Sequence, residues 1–320
     1  MPSGNTANIP VYCVLKMYNH MSKRILAIYY TQSGQLGDIM RHFTAPLQDA
    51  GHSVETVVYR PAAEYTFPWT ATGFFAVMPD CVLSVPTPLA PFTLNASSYD
   101  LIILGYQAWF LSPSIPINSL LRDPAFGAVL KGAPVMTITG ARNMWINAYG
   151  RLRQNLLDLG ARPVGTIALV DRHLNLVSFM TIFHWMFHGK KDRYLSIFPK
   201  PGVSDADIER TAVYGSLLLP HLSKGEWTGL PEELVAAGAV EIRDHLMLIE
   251  LNAGRIFAVW ANFINGRKNK RPWLAAFKYY IIIALFLLGP VVYVLVKVLL
   301  KPLMPKWFAD KKHYYLYKNG

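Results

Sequence analysis

The chain has 320 residues, 52% of them apolar and only 16% charged, with two cysteines and a formal net charge of +11. Soluble proteins carry roughly 25% charged residues, so this composition excludes disorder and favours a chain that meets apolar surroundings. Cys13 and Cys81 are too few for a disulfide framework or a Cys-based metal site, and both read as reduced thiols of a cytoplasmic protein.

Residues 1–22 lack periodicity and carry no apolar core with a small-residue cleavage site, so they read as an extension before the first element. Ile25–Tyr30 is a continuous apolar run of the kind a buried parallel strand shows. The polar turn Thr31–Gly37 follows, then a helix with Leu36, Ile39, Met40, Phe43 and Leu47 on one face and Gly51 as its stop. Ser53–Arg60, Tyr99–Tyr106, Pro134–Gly140 and Arg162–Asp171 read as four further strands, and Trp145–Leu159 as an amphipathic helix. Strand, loop and helix in alternation predict an α/β fold, an open parallel sheet covered on both faces. Over 23–171, only residues 61–98 break the rhythm, as a proline- and aromatic-rich insertion whose length predicts a lid or binding arm.

Residues 172–266 read as a helical extension, with an apolar segment Leu174–Phe187 and a helix Ser204–Leu222 capped by Ser204. Residues 267–320 form a basic and apolar tail. Eleven Lys and Arg stand there against the single acid Asp310, which leaves 20 basic and 19 acidic side chains before it. The basic clusters flank the uncharged run Tyr279–Val296, so an anionic lipid surface is expected rather than nucleic acid. Eighteen residues are the lower limit for a span, and Gly289-Pro290 halves the run. Two basic flanks kept on one side favour a re-entrant or interfacial hairpin, with a single span or a helix packed on the domain as alternatives. The expected location is the cytoplasmic face of the inner membrane.

Ligands of such sheets bind at the carboxyl ends of the strands. The first loop has neither a Walker ending nor G-x-G-x-x-G. Its Thr31-Gln32-Ser33-Gly34 sequence offers hydroxyls and backbone N–H groups that hold a phosphate without lysine, although plain helix caps use the same chemistry.

The first strand with TQSGQLG, the third with QAWFLSP and the fourth with GARNMW together resemble the flavodoxin-like FMN proteins over residues 23–171. The resemblance implies a doubly wound five-stranded parallel sheet. It implies FMN phosphate binding by Thr31, Gln32, Ser33, Gly34, Gln35 and Leu36, where Leu36 replaces the family's usual threonine. It also implies that Gln107, Ala108, Trp109 and Phe110, with Gly140, Ala141, Arg142 and Asn143, cover the flavin ring. Trp109 is the stacking candidate, with a core tryptophan as the other reading. IYYTQSGQL, FPW followed by FF and MP, and YDLIILGYQAWFLSPSIPINSLL are more specific, and resemble the bacterial dialkylresorcinol condensing enzymes. That resemblance implies a partner ketosynthase and oxidation of a cyclohexanedione to a resorcinol. Carbon–carbon condensation fits poorly, because neither cysteine sits in an activated setting.

Aromatising such a ring removes a hydride and a proton, which FMN and a side-chain base would take. The candidate bases are Tyr106, Asp171, His173 and His184, and Arg142 is the candidate for steadying an enolate oxygen or the flavin edge. A membrane-associated NAD(P)H:quinone oxidoreductase, a membrane-tethered flavodoxin electron carrier and a flavin-free structural subunit are the competing readings. No metal site is expected, and a homodimer is expected only by analogy with flavodoxin-like reductases.

Overall fold

The computed structural model describes residues 22–317. The expected N-terminal extension lies almost wholly outside them, as does Cys13. Five parallel strands form the sheet: β1 (Arg24–Tyr29), β2 (Ser53–Val58), β3 (Leu101–Tyr106), β4 (Pro134–Ala141) and β5 (Arg162–Val170). Their order is β2-β1-β3-β4-β5, the flavodoxin-like doubly wound arrangement. Ile25 pairs with both Val54 and Leu101, so β1 is central from its first apolar residue. All six residues of β3 are buried, as a strand covered on both faces requires.

Between β1 and β2 runs α1 (Gln35–Asp49), which buries Leu36, Ile39, Met40, Phe43 and Leu47 as the periodicity predicts. The 61–98 insertion contains α2 (Ala71–Ala76) and α3 (Met78–Val82). Helices α4 (Ile115–Leu120) and α5 (Pro124–Leu130) lead to β4, and α6 (Ile146–Asp158) leads to β5. Right-handed crossovers on the two sides of β1 put α1 and these later helices on opposite faces.

Beyond β5 come α7 (Asn175–His188), α8 (Asp205–Glu209), α9 (Thr211–Lys224) and α10 (Leu230–Ala236). Ser204 caps α8 as expected, its hydroxyl accepting the Asp207 N–H at 3.1 Å. Helix α9 lies on α1 so closely that a Cβ on Gly215 would collide with the Phe43 carbonyl oxygen. Tyr214, Leu218, Leu222, Leu230 and Leu234 join the core of the sheet. The core therefore continues past Asp171 instead of ending with the last strand.

The tail is α11 (Asp244–Asn265), α12 (Arg271–Leu303) and α13 (Pro305–Tyr317). The expected hairpin at Gly289-Pro290 does not form. Gly289 has helical angles (φ −56°, ψ −52°), and α12 runs through it without reversing. The preceding turns, Ala284–Leu288, widen into a π-helical segment, which makes room for the ring of Pro290. The chain reverses instead at residues 266–270, so α12 returns along α11. Lys301 and Lys312 both reach Asp244, each at 2.6 Å, and Tyr293 meets His245 edge-on. Ala261 and Ile264 of α11 and Phe277 of α12 pack with Phe75, Met78 and Val82 into a second, smaller cluster, so the tail backs the insertion.

By length and composition α11 and α12 are both apolar enough to cross a membrane. Leu287, Val291, Val294 and Val298 of α12 are all more than half exposed.

Candidate functional site

The loops after β1, β3 and β4 converge on a cavity of about 280 Å³. Gln32, Ser33, Gln35 and Leu36 line it from the first loop, Gln107, Ala108, Trp109 and Phe110 from the second, and Gly140, Ala141, Arg142 and Asn143 from the third. Twelve of the fourteen expected binding residues thus share one cavity. Thr31 and Gly34 belong to the same first turn but do not themselves form the wall.

Each loop holds an uncompensated polar group. Among the described residues, Thr31 Oγ1, Gln107 Oε1 and Asn143 Oδ1 are buried side-chain atoms with no hydrogen-bond partner, an arrangement that is costly unless a ligand completes it. Gly34, at φ +87°, starts α1 with no capping side chain. The first N–H groups of that helix therefore stay open toward an anion. Leu36, in the first turn of that helix, offers a backbone N–H but no hydroxyl. Gln35 turns its side chain elsewhere: its Oε1 accepts the Val203 N–H at 3.0 Å.

The second loop is a two-stranded ribbon, Ala108–Trp109 against Ser112–Pro113, turned by Phe110 and Leu111. Both have positive φ, +47° and +59°. Such turns suit a two-residue hairpin but strain side-chain-bearing residues by about 1 kcal/mol or more each. The neighbours hold the strain in place. The Cys81 thiol donates to Trp109 O (3.1 Å) and Pro113 O (3.4 Å), and Arg151 Nη1 donates to Ser112 Oγ at 3.2 Å. Burial pushes the Cys81 thiol far above the usual range, so it is structural and not nucleophilic.

The insertion covers the cavity, with Phe67, Trp69, Phe74 and Val77 in its wall. Trp69 Nε1 donates to Gln32 Oε1 (3.1 Å), and Trp69 N donates to Met186 O of α7 (2.8 Å), so this cover is latched to the first loop and to α7. Trp109 meets Tyr30, Tyr65 and Trp69 edge-on, with ring centroids 5.2–6.4 Å away. It is both a cavity-wall residue and part of an aromatic cluster.

Among the described residues, Arg142 is the only ionisable side chain in the wall. Its Nη1 donates to Asn175 Oδ1 (2.8 Å), which also accepts from Asn143 Nδ2 (2.6 Å). Burial pulls its pKa down to about 10, and Asp171 works against that pull. The four candidate bases all lie outside the wall. Asp171 is buried beneath the third loop, its N–H bonded to Arg142 O (2.9 Å) and its carboxylate to His173 Nδ1 (2.6 Å) and Ser178 Oγ (2.8 Å). Asp171 therefore ties the third loop, through its backbone N–H, to α7, through its carboxylate on Ser178. Tyr106 is sealed in the core near Tyr149 and Glu250, and burial raises its hydroxyl well above the usual range. His184 points away, pairing with Asp192 (3.3 Å) and stacking on His188.

Sequence reasoning missed Ile182, Phe183, Trp185 and Met186, which form the far wall from α7. Their signal was the all-round apolarity of Leu174–Phe187. Among the described residues no group of His, Cys, Asp and Glu is arranged to hold a metal ion.

No protein-family model and no curated protein matches the chain. Solved structures similar to parts of it include a flavoprotein in complex with FMN from Lactobacillus acidophilus NCFM. It is 17% identical over 47% of this chain and 93% of its own, at a TM-score of 0.37. A flavodoxin from the domain Archaea is 10% identical over 62% of this chain and 98% of its own, at 0.34. Oxidised Flavodoxin 1 from Bacillus cereus is 14% identical over 62% and 99%, at 0.32. At that similarity no activity passes from them to this chain.

Proposed function

We propose that the cavity holds FMN and that the protein is an FMN-dependent oxidoreductase. The observation that carries this reading is the trio of partnerless buried atoms, Thr31 Oγ1, Gln107 Oε1 and Asn143 Oδ1, one from each loop at the carboxyl edge of the sheet. Thr31, Ser33 and the open N–H groups of α1 suit the phosphate, and Gln107 and Asn143 suit the polar edge of the ring. Trp109 and Phe110 suit its face. Bound there, FMN supplies a two-electron acceptor.

The substrate class we propose is a hydrophobic dialkyl cyclohexanedione, oxidised to a dialkylresorcinol. A ring carbon between two carbonyls loses its proton without a strong base. This suits a wall whose one ionisable group is a cation, because Arg142 would hold the oxygen on which charge develops. The aromatic cover excludes water from the ring. The exposed face of α12 would keep the enzyme at an anionic membrane, where such a substrate resides. Association with the ketosynthase that supplies the dione belongs to the same proposal, and co-purification of the two proteins tests it.

The deciding experiment is a visible spectrum of the protein supplied with FMN, followed by anaerobic addition of the dione. Flavin bands that bleach on addition are expected. Bands that bleach only with NAD(P)H would replace this reading with a quinone oxidoreductase, and failure to bind FMN would overturn it.

A further inference from the structure

A second cavity, of about 310 Å³, lies between α2, α7 and α12. Its walls include Phe75 from the insertion, Phe179, Phe183 and Phe187 one helical turn apart on α7, and Ile282 and Phe286 from α12. Phe183 lines this groove and the first cavity alike. Phe74 and Phe75 stand side by side, Phe74 in the wall of the first cavity and Phe75 in that of the groove. Phe183 thus stands between the two spaces, with its ring centroid 6.2 Å from that of Phe74. The other end of the groove opens on α12, where Tyr279 and Phe286 are exposed. The one charged group on the groove is Lys278.

We propose that this groove binds a single hydrocarbon chain of an amphiphile that enters from the lipid-facing side of α12, with its polar head carried past Phe183 into the first cavity. Placement of the head rests on the functional reading above; binding of the chain does not. Three features select the occupant. The lining offers almost no hydrogen-bonding group, so a sugar, nucleotide or peptide would leave polar atoms unpaired. Its rings do not lie parallel: Phe179 and Phe183 are tilted by 37°, Phe183 meets Phe187 edge-on, and Ile281, Ile282 and Phe286 face them from α12, an uneven apolar lining that suits a flexible chain better than a flat fused ring. The groove also abuts the first cavity at Phe183 and reaches the exposed apolar side of α12 at its other end, and a path of that kind favours a chain over a separate small ligand.

The test uses full-length protein in phospholipid nanodiscs and a decanoate carrying a mid-chain photoreactive diazirine, with labelled residues mapped by mass spectrometry. Labelling at Phe75 and Phe179 is expected, since Phe75 is only 6% exposed and is shielded from bulk lipid by the groove itself. Ile282→Trp fills the groove from a partly exposed position. It should reduce that labelling at least tenfold while leaving labels on Val298, which is 70% exposed, unchanged. Among shorter and longer alkanoates competing with the probe, affinity should rise about fourfold per methylene until the groove is full. Labels confined to the outer face of α12, or unaffected by Ile282→Trp, would overturn the proposal. FMN titration of the same samples separates the two readings: chain labelling without flavin binding would leave the groove standing and remove the redox site.

Discussion

Glu250 of α11 caps α6 from across the molecule, its Oε1 accepting the Asn147 N–H at 2.8 Å. Its other oxygen has no partner, and the residue is fully buried. Asn147 follows the third site loop by only a few residues, so the tail holds the helix that this loop enters. Burial raises the Glu250 carboxyl to about 7, against the backbone N–H groups of Asn147, Ile146 and Trp145, which pull it down. The folded state therefore keeps a proton that the unfolded chain releases near pH 4.5. The contribution of Glu250 to stability should be greatest below that pH and fall as pH rises toward about 7, by about 3 kcal/mol in all. Thermal melts from pH 4.5 to 8 should show the decline, and Glu250→Gln should flatten it. An unchanged slope in that variant would assign the pH dependence to another group.

Thr31 gives a prediction with two signs. Its hydroxyl is buried and unpaired, so Thr31→Val removes a cost in the flavin-free protein. The melting temperature without FMN should stay level or rise. Affinity for FMN should fall by about 1.5–3 kcal/mol, roughly 10- to 150-fold, as one hydrogen bond to a phosphate is lost. Fluorescence titration with FMN and a melt of the same sample read both effects. A parallel loss of stability and affinity would mean that the hydroxyl supports the fold instead.

The sheet was legible because its strands are short apolar runs bounded by turn chemistry, and its doubly wound form was implied by the resemblance that the loop motifs carry; the strand order itself comes from the structure. Twelve of the expected binding residues lie in one cavity wall for the same reason: they sit at or just after strand ends. The bases do not. Tyr106 ends a strand, as expected of a site residue, yet its side chain turns into the core, and a sequence does not record on which side of the last peptide a side chain falls. Asp171 and His173 follow β5 closely, but their side chains pair with each other and with Ser178 of α7. The turn in the tail was misplaced because Gly289-Pro290 is the strongest local breaker. A π-segment before it absorbed the proline, and the reversal fell at a stretch whose charge hid its role as a turn.

The exposed face of α12 should carry membrane binding. Leu287, Val291 and Val298 are 64%, 56% and 70% exposed and touch nothing that a polar replacement would disturb greatly. Each change to Ser removes roughly 1.5 kcal/mol of apolar transfer, about tenfold in partitioning. The triple variant should therefore move from the vesicle pellet to the supernatant when mixed with phospholipid vesicles containing anionic lipid. Its FMN affinity should be unchanged, since none of the three lines the first cavity. Raised salt should weaken the binding of the wild-type protein, because Arg267, Lys268, Lys270 and Arg271 flank the helix.

Arg142 separates electrostatic stabilisation from proton abstraction. If the guanidinium holds the oxygen of the ionised dione, Arg142→Gln should lower kcat by about 10²–10³. FMN should still bind, because Asn175 continues to hold the third loop through Asn143. Loss of the cation also makes the bound dione harder to ionise, so the acid limb of the rate profile should move to higher pH. Arg142→Lys should recover part of the rate and return that limb toward its original position, although a single ammonium cannot keep the bond to Asn175 and reach the substrate at once. A general base would behave differently. Its loss would remove the acid limb instead of displacing it, and the lysine variant would recover nothing. Steady-state rates of the three proteins across pH, at matched flavin content, distinguish the two.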